Sequence, residues 1–163
     1  MEYQLRCRLL APLSIGDTFR AFEDPRNLAR ITPPWLSFQV TTAGGIEMRP
    51  GAEIDYVIKW LGLPMRWKTL ITDYRPPFSF MDEQARGPYS LWRHCHTFEE
   101  TAGGTLVSDV VDYRLPLGPL GAIAHAVMVG PQLLGIFRFR QRAMDELLGV
   151  KCKPVEAPSI TAR

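Results

Sequence analysis

Cysteine is scarce in this chain. Cys7, Cys95 and Cys152 are the only three, they lie far apart, and no CxxC pair occurs. An odd, scattered set supports neither a disulfide framework nor a thiolate metal site, and it fits reduced thiols in the cytoplasm. Excess charge is also lacking: 19 basic residues face 17 acidic ones, a net charge of +2. The basic residues form no run, so nothing favours nucleic acid as a partner. Met1-Glu2-Tyr3-Gln4-Leu5-Arg6 has no apolar core of the signal-peptide kind and reads as the start of a strand. Internal repeats and low-complexity segments are missing too. A length of 163 residues therefore predicts a single domain with a substantial core.

Charged residues are absent from Leu115 to Phe137, a stretch long enough to invite a membrane-spanning reading. It holds Pro116, Pro119, Pro131, four glycines, His125 and Gln132, however, and charge resumes at Arg138. A buried helix without stable membrane insertion is the expectation.

Strand alternation dominates what is present. Residues 3–10 alternate Tyr3, Leu5, Cys7 and Leu9 against polar neighbours, giving a first strand. Ser14 with Asp17 resembles a capping box and opens a short helix to about Phe22. Pro25 ends it, and residues 27–31 can form a second short helical turn before Pro33-Pro34. Six more strands follow: a weak one at 39–42, then segments around 53–60, 65–71, 78–84, 92–98 and 105–113. Gly- and Pro-rich turns separate them, and the short connections predict an antiparallel meander. A helix from about Pro119 to Leu148, ~30 residues and ~45 Å long, can lie across the whole sheet. Pro131 is expected to kink or split it. Residues 149–163 read as a flexible tail.

The heptapeptide Trp92-Arg93-His94-Cys95-His96-Thr97-Phe98 carries the most chemistry. Alternation puts Trp92, His94, His96 and Phe98 on one face, and the aromatic ends mark that face as the inner one. Two imidazoles in an apolar interior require acids, water, a metal or a ligand beside them.

The order of elements resembles the START-like helix-grip fold of the SRPBCC superfamily, in which a seven-stranded curved antiparallel sheet grips a long C-terminal helix and two short helices follow the first strand. Local sequence carries the same resemblance to a bacterial ligand-binding, polyketide cyclase/dehydrase-like branch. It lies in Ala11-Pro12, Asn27-Leu28, Ile31-Thr32-Pro33-Pro34-Trp35, Phe80-x-Asp82-Glu83-Gln84-x-x-Gly87-Pro88-Tyr89 and Trp92-x-His94-x-His96-x-Phe98. It covers about residues 2–148, and residues 1–148 are taken as the domain. The resemblance implies a hollow between sheet and helix for a hydrophobic or aromatic small molecule, and it transfers no catalytic residue.

The same parity places Tyr56, Thr69, Asp82, Gln84, His94, His96, Asp109 and Tyr113 on the covered face, among apolar residues that include Trp67 and Trp92. A mostly apolar pocket with a few convergent polar groups is the anatomy of a small-molecule site. The ligand-contacting set is expected to be Tyr56, Trp67, Asp82, Gln84, Trp92, His94, His96, Asp109 and Tyr113, with Phe137 and Arg140 from the helix. Arg140 falls on the helix's apolar stripe and is expected to neutralise Asp109 or Asp82. The expected function is binding of a lipid, polyketide or quinone-like molecule. Proton transfer by His94, His96 and Asp109 in a cyclase, dehydratase or isomerase is the alternative. The two histidines could share a metal ion if Asp109 or His125 supplied a third ligand, but His-x-His alone is a common coincidence and no cysteine pair supports it, so neither a metal nor another cofactor is expected. No nucleophile is placed for a hydrolytic triad.

Overall fold

The computed structural model describes residues 1–60 and 62–163. Strand β1 (Tyr3–Ala11) turns Tyr3, Leu5, Cys7, Leu9 and Ala11 inward. Helix α1 (Ile15–Glu23) begins where the Ser14 hydroxyl accepts the Asp17 N–H at 3.1 Å. It buries Ile15, Thr18, Phe19 and Phe22, the spacing of one helical face. The second short helix is tighter than the sequence implies. It forms 3-10 turns at Pro25–Asn27 and Pro34–Leu36, each with a proline in its first turn, where a missing N–H costs nothing.

Strands β2 (Gln39–Val40), β3 (Glu53–Trp60), β4 (Leu63–Arg75), β5 (Ser79–Arg86), β6 (Leu91–Thr101) and β7 (Gly104–Arg114) follow as an antiparallel meander. The sheet order is β2-β3-β4-β5-β6-β7-β1, and β1 closes on β7. The predicted curved antiparallel sheet and gripping helix are both present.

Among the described residues the sheet has eight strands, not seven. Residues 149–163 are no flexible tail: Lys153–Ala162 form β8, antiparallel to β1 at the sheet edge. Pro154 and Pro158 disguise this strand, but an edge strand tolerates a proline because one side of its backbone has no partner to bond. Gln141 Nε2 donates to the Arg8 carbonyl (3.2 Å) and the Glu156 carbonyl (3.0 Å), pinning β8 where its register with β1 shifts. Gly149, at φ 67°, makes the left-handed turn that ends the long helix and frees the chain to return.

The helix runs from Gly118 to Leu148 without separating into two. It comprises α2 (Gly118–Ala124), a π-helical turn at His125–Val129 and α3 (Gly130–Leu148). Pro131 cannot donate a backbone hydrogen bond, and the helix absorbs the defect in the widened turn just before it. Leu133, Phe137 and Met144 of α3 are buried, which makes this segment a core helix despite its membrane-like length and composition. One apolar cluster gathers α1, Phe80, Phe98 and Met144, and another gathers β1, Val111, Tyr113, Leu133 and Phe137. Between these layers space remains.

Candidate functional site

That space is a cavity of about 470 Å³ between the sheet and the long helix. Its walls are mainly apolar, and its two ends differ. At one end aromatic rings crowd together: Tyr56 stacks on Trp67 at 5.8 Å between centroids, and Trp92 meets Trp67 edge-on at 5.4 Å and Tyr89 at 4.8 Å. At the other end Asp82, His94, His96 and Arg140 reach the lining.

Register explains the polar end. Asp82 on β5 sits directly opposite His94 on β6, and Asp109 on β7 directly opposite His96. The hydrogen bonds run diagonally: His94 Nε2 lies 3.0 Å from Asp109 Oδ1, and His96 Nε2 lies 3.1 Å from Asp82 Oδ2. His96 Nδ1 meets Asp109 Oδ1 at 2.8 Å in a contact bent out of hydrogen-bonding line. His94 Nδ1 stands 3.7 Å from Asp82 Oδ2. Each histidine thus spans both carboxylates, with the two rings 3.8 Å apart.

Electrostatics split the two imidazoles. Burial disfavours charge on both, and the neighbouring His96 adds to that for His94, so the His94 pKa falls below its ordinary value. For His96 the contacts to Asp109 and Asp82 outweigh burial and raise the pKa. Burial would also raise both carboxyls. The Arg140 field and then the histidine contacts instead hold Asp109 well below its ordinary value, and the histidines do the same for Asp82. The two carboxylates thus favour protonation of His96 over His94.

Arg140 acts at a distance. Among the described residues it forms no ion pair within 4.0 Å, contrary to the expected partnership with Asp109 or Asp82. Its guanidinium lies 5.9 Å from the Phe22 ring centre and 5.8 Å from that of Phe137. Its Nε lacks a hydrogen-bond partner.

Of the expected contact residues, Tyr56, Trp67, Asp82, Trp92, His94, His96, Phe137 and Arg140 line the cavity. Three do not. Asp109 lies behind the histidines, against a small crevice with Cys7 and Gln141. Tyr113 is fully buried, and its hydroxyl meets His125 Nε2 at 2.7 Å. Gln84 turns away into its own hairpin, donating to the Tyr89 carbonyl (2.8 Å) and accepting the Tyr89 N–H (3.2 Å). A Cβ on Gly87 would stand 2.3 Å from Gln84 Oε1, so the Gln84-x-x-Gly87-x-Tyr89 spacing serves to hold Tyr89 at the cavity.

Sequence reasoning missed Phe22, Leu36, Phe38 and Met128 of the lining. The first three come from the helix and turns before the meander, and Met128 comes from the π turn. Strand parity says nothing about any of them. Trp60 also lines the cavity, and strand parity gives no sign of its bond: its Nε1 donates to Gln132 Oε1 at 2.6 Å, tying β3 to α3.

A family model described as polyketide cyclase/dehydrase and lipid transport matches residues 11–134. No curated protein matches the sequence. Among solved structures, TTHA0849 from Thermus thermophilus is 16% identical with a TM-score of 0.68, over 89% of this chain and 96% of that one. Ara h 8.0201 is 14% identical with a TM-score of 0.60, over 91% and 99%. The di-domain ARO/CYC StfQ of the steffimycin biosynthetic pathway is 12% identical with a TM-score of 0.63. That match covers 92% of this chain and 53% of StfQ. At these identities the likeness is one of fold.

Proposed function

Since the chain belongs to the polyketide cyclase/dehydrase and lipid-transport family, we propose that it binds a hydrophobic, aromatic small molecule of lipid, polyketide or quinone-like character between sheet and helix. The single observation that carries this reading is the cavity of about 470 Å³, a volume suited to a small organic ligand. Its aromatic end offers faces for ring stacking, and its polar end orients an oxygen-bearing group. Three unpaired cysteines are in keeping with a cytoplasmic location.

Filling the cavity tests the proposal without touching the polar cluster. Ala124 lines the cavity from α2, and Ala124→Phe should weaken naphthalene-like or flavonoid-like fluorescent probes at least about tenfold. Stability should stay within about 0.5 kcal/mol of the parent. A parent protein that takes up no such probe at millimolar concentration, or a variant that binds as well as the parent, overturns it.

One observation favours turnover as a second reading. His96 reaches the cavity wall flanked by two carboxylates that favour its protonated form, and a group so placed can donate a proton to a ketone or enolate oxygen. Cyclase, dehydratase or isomerase chemistry follows if ketone-bearing probes are converted and His96→Gln stops the conversion while leaving them bound.

A further inference from the structure

The expectation of no metal treated His94-x-His96 as a coincidence and looked only to Asp109 or His125 for a third ligand, whereas the fold brings Asp82 to both rings. Asp82 Oδ2 lies 3.1 Å from His96 Nε2 and 3.7 Å from His94 Nδ1. The three ligand atoms all fall within 4.8 Å of one another. Metal–nitrogen and metal–oxygen bonds of about 2.1 Å in tetrahedral array put neighbouring ligand atoms about 3.4 Å apart, and the two measured separations bracket that value. We propose that Asp82, His94 and His96 form a binding site for a divalent transition-metal ion of the zinc or ferrous class. Two imidazoles with one carboxylate are a donor set suited to those ions.

The surroundings match that assignment on two further counts. Asp109 stands on the far side of both rings, with Oδ1 3.0 Å from His94 Nε2 and 2.8 Å from His96 Nδ1. The hydrogen bond to His94 Nε2 leaves that ring's Nδ1 lone pair for the cavity side, the usual outer support of a metal-binding histidine, and the contact with His96 Nδ1 places the same carboxylate behind the second ring. The three proposed ligands line the cavity, whereas Asp109 does not. The ion's open position therefore faces the space where a small molecule would sit. Arg140 leaves the carboxylates free for this use, since its guanidinium rests over Phe22 and Phe137. His125 lies elsewhere, against Tyr113 and Tyr3.

The site goes beyond the ligand-binding proposal and stands without it, because the ion needs only these side chains. Untagged, chelator-stripped protein titrated with cobalt(II) should take up one equivalent and develop the strong visible absorption of a four- or five-coordinate ion. Zinc(II) should displace it and raise the thermal midpoint. His94→Gln, His96→Gln and Asp82→Asn should each abolish stoichiometric uptake. Asp109→Asn should weaken it about 10–100-fold, and His125→Gln should leave it unchanged. Circular dichroism at a temperature below each variant's own midpoint identifies the folded ones, and a folded Asp82→Asn or His96→Gln that still binds one equivalent overturns the proposal. So does a parent with no saturable uptake, or sulfur-to-cobalt charge-transfer absorption, which would place the ion on a cysteine. Fluorescent-probe binding to the stripped parent is scored separately, so an empty metal site and an empty cavity give different results.

Discussion

Asp109 is the residue on which the polar end balances. It reaches both histidines yet has no place on the cavity wall, and its charge is maintained by Arg140 as much as by them. Both depressed carboxyls, Asp109 and Asp82, contribute stability above the unfolded value near 3.8 and lose it as pH falls through their lower folded values. Removing the guanidinium with Arg140→Met should therefore cost about 2 kcal/mol at neutral pH, the size of a charge pair several ångströms apart at an effective dielectric near 20. Denaturation midpoints of the variant and parent should converge once the pH lies well below 3.8. A difference that stays constant across that range would assign Arg140 to packing alone. Parity along β5, β6 and β7 was enough to gather Asp82, His94, His96 and Asp109 from the sequence. It could not decide which oxygen serves which nitrogen, because the bonds run diagonally across the ladder. Arg140's stripe position was legible, whereas its resting place over two phenyl rings was not, since that depends on how α1 packs.

Among the elements, β8 is held differently from the others. Its one neighbour is β1, the register slips twice, and Gln141 of α3 clasps the irregularity from above. Side-chain bonds to backbone carbonyls contribute about 1 kcal/mol each. Gln141→Leu should accordingly speed amide exchange in residues 153–162 about tenfold or more, leaving β5 to β7 unchanged. Uniform acceleration through the sheet would show that β8 opens only with the whole fold. The strands from Glu53 to Arg114 were readable because one wet face and one covered face impose a period of two. The segment 153–162 has the same period, with Glu156, Pro158 and Ile160 turned inward, but a glutamate and a proline at inner positions gave its composition the appearance of a loose end. The π turn left a weaker trace, in that Pro131 announced a defect but not which turn would widen to absorb it.

At the scale of the whole molecule, sheet and helix act as two jaws around a space that neither fills, and the apolar uncharged run belongs to one jaw. That space was foreseeable from the polar groups gathered on the covered face. Its aromatic end was less so, because Phe38 and Tyr89 come from connections whose path depends on side-chain contacts such as Gln84 to Tyr89. The Trp60–Gln132 hydrogen bond joins the jaws directly, from β3 to α3, with both residues at the cavity. A strut of that kind governs the timetable of exchange more than the depth of the binding well. Gln132→Leu should raise the association and dissociation rates of a bound probe by a similar factor, about fivefold for a lost bond of 1 kcal/mol. The equilibrium constant should hardly move in stopped-flow measurements. What the strut sets is the residence time of a guest, and so whether the protein delivers its cargo promptly or keeps it.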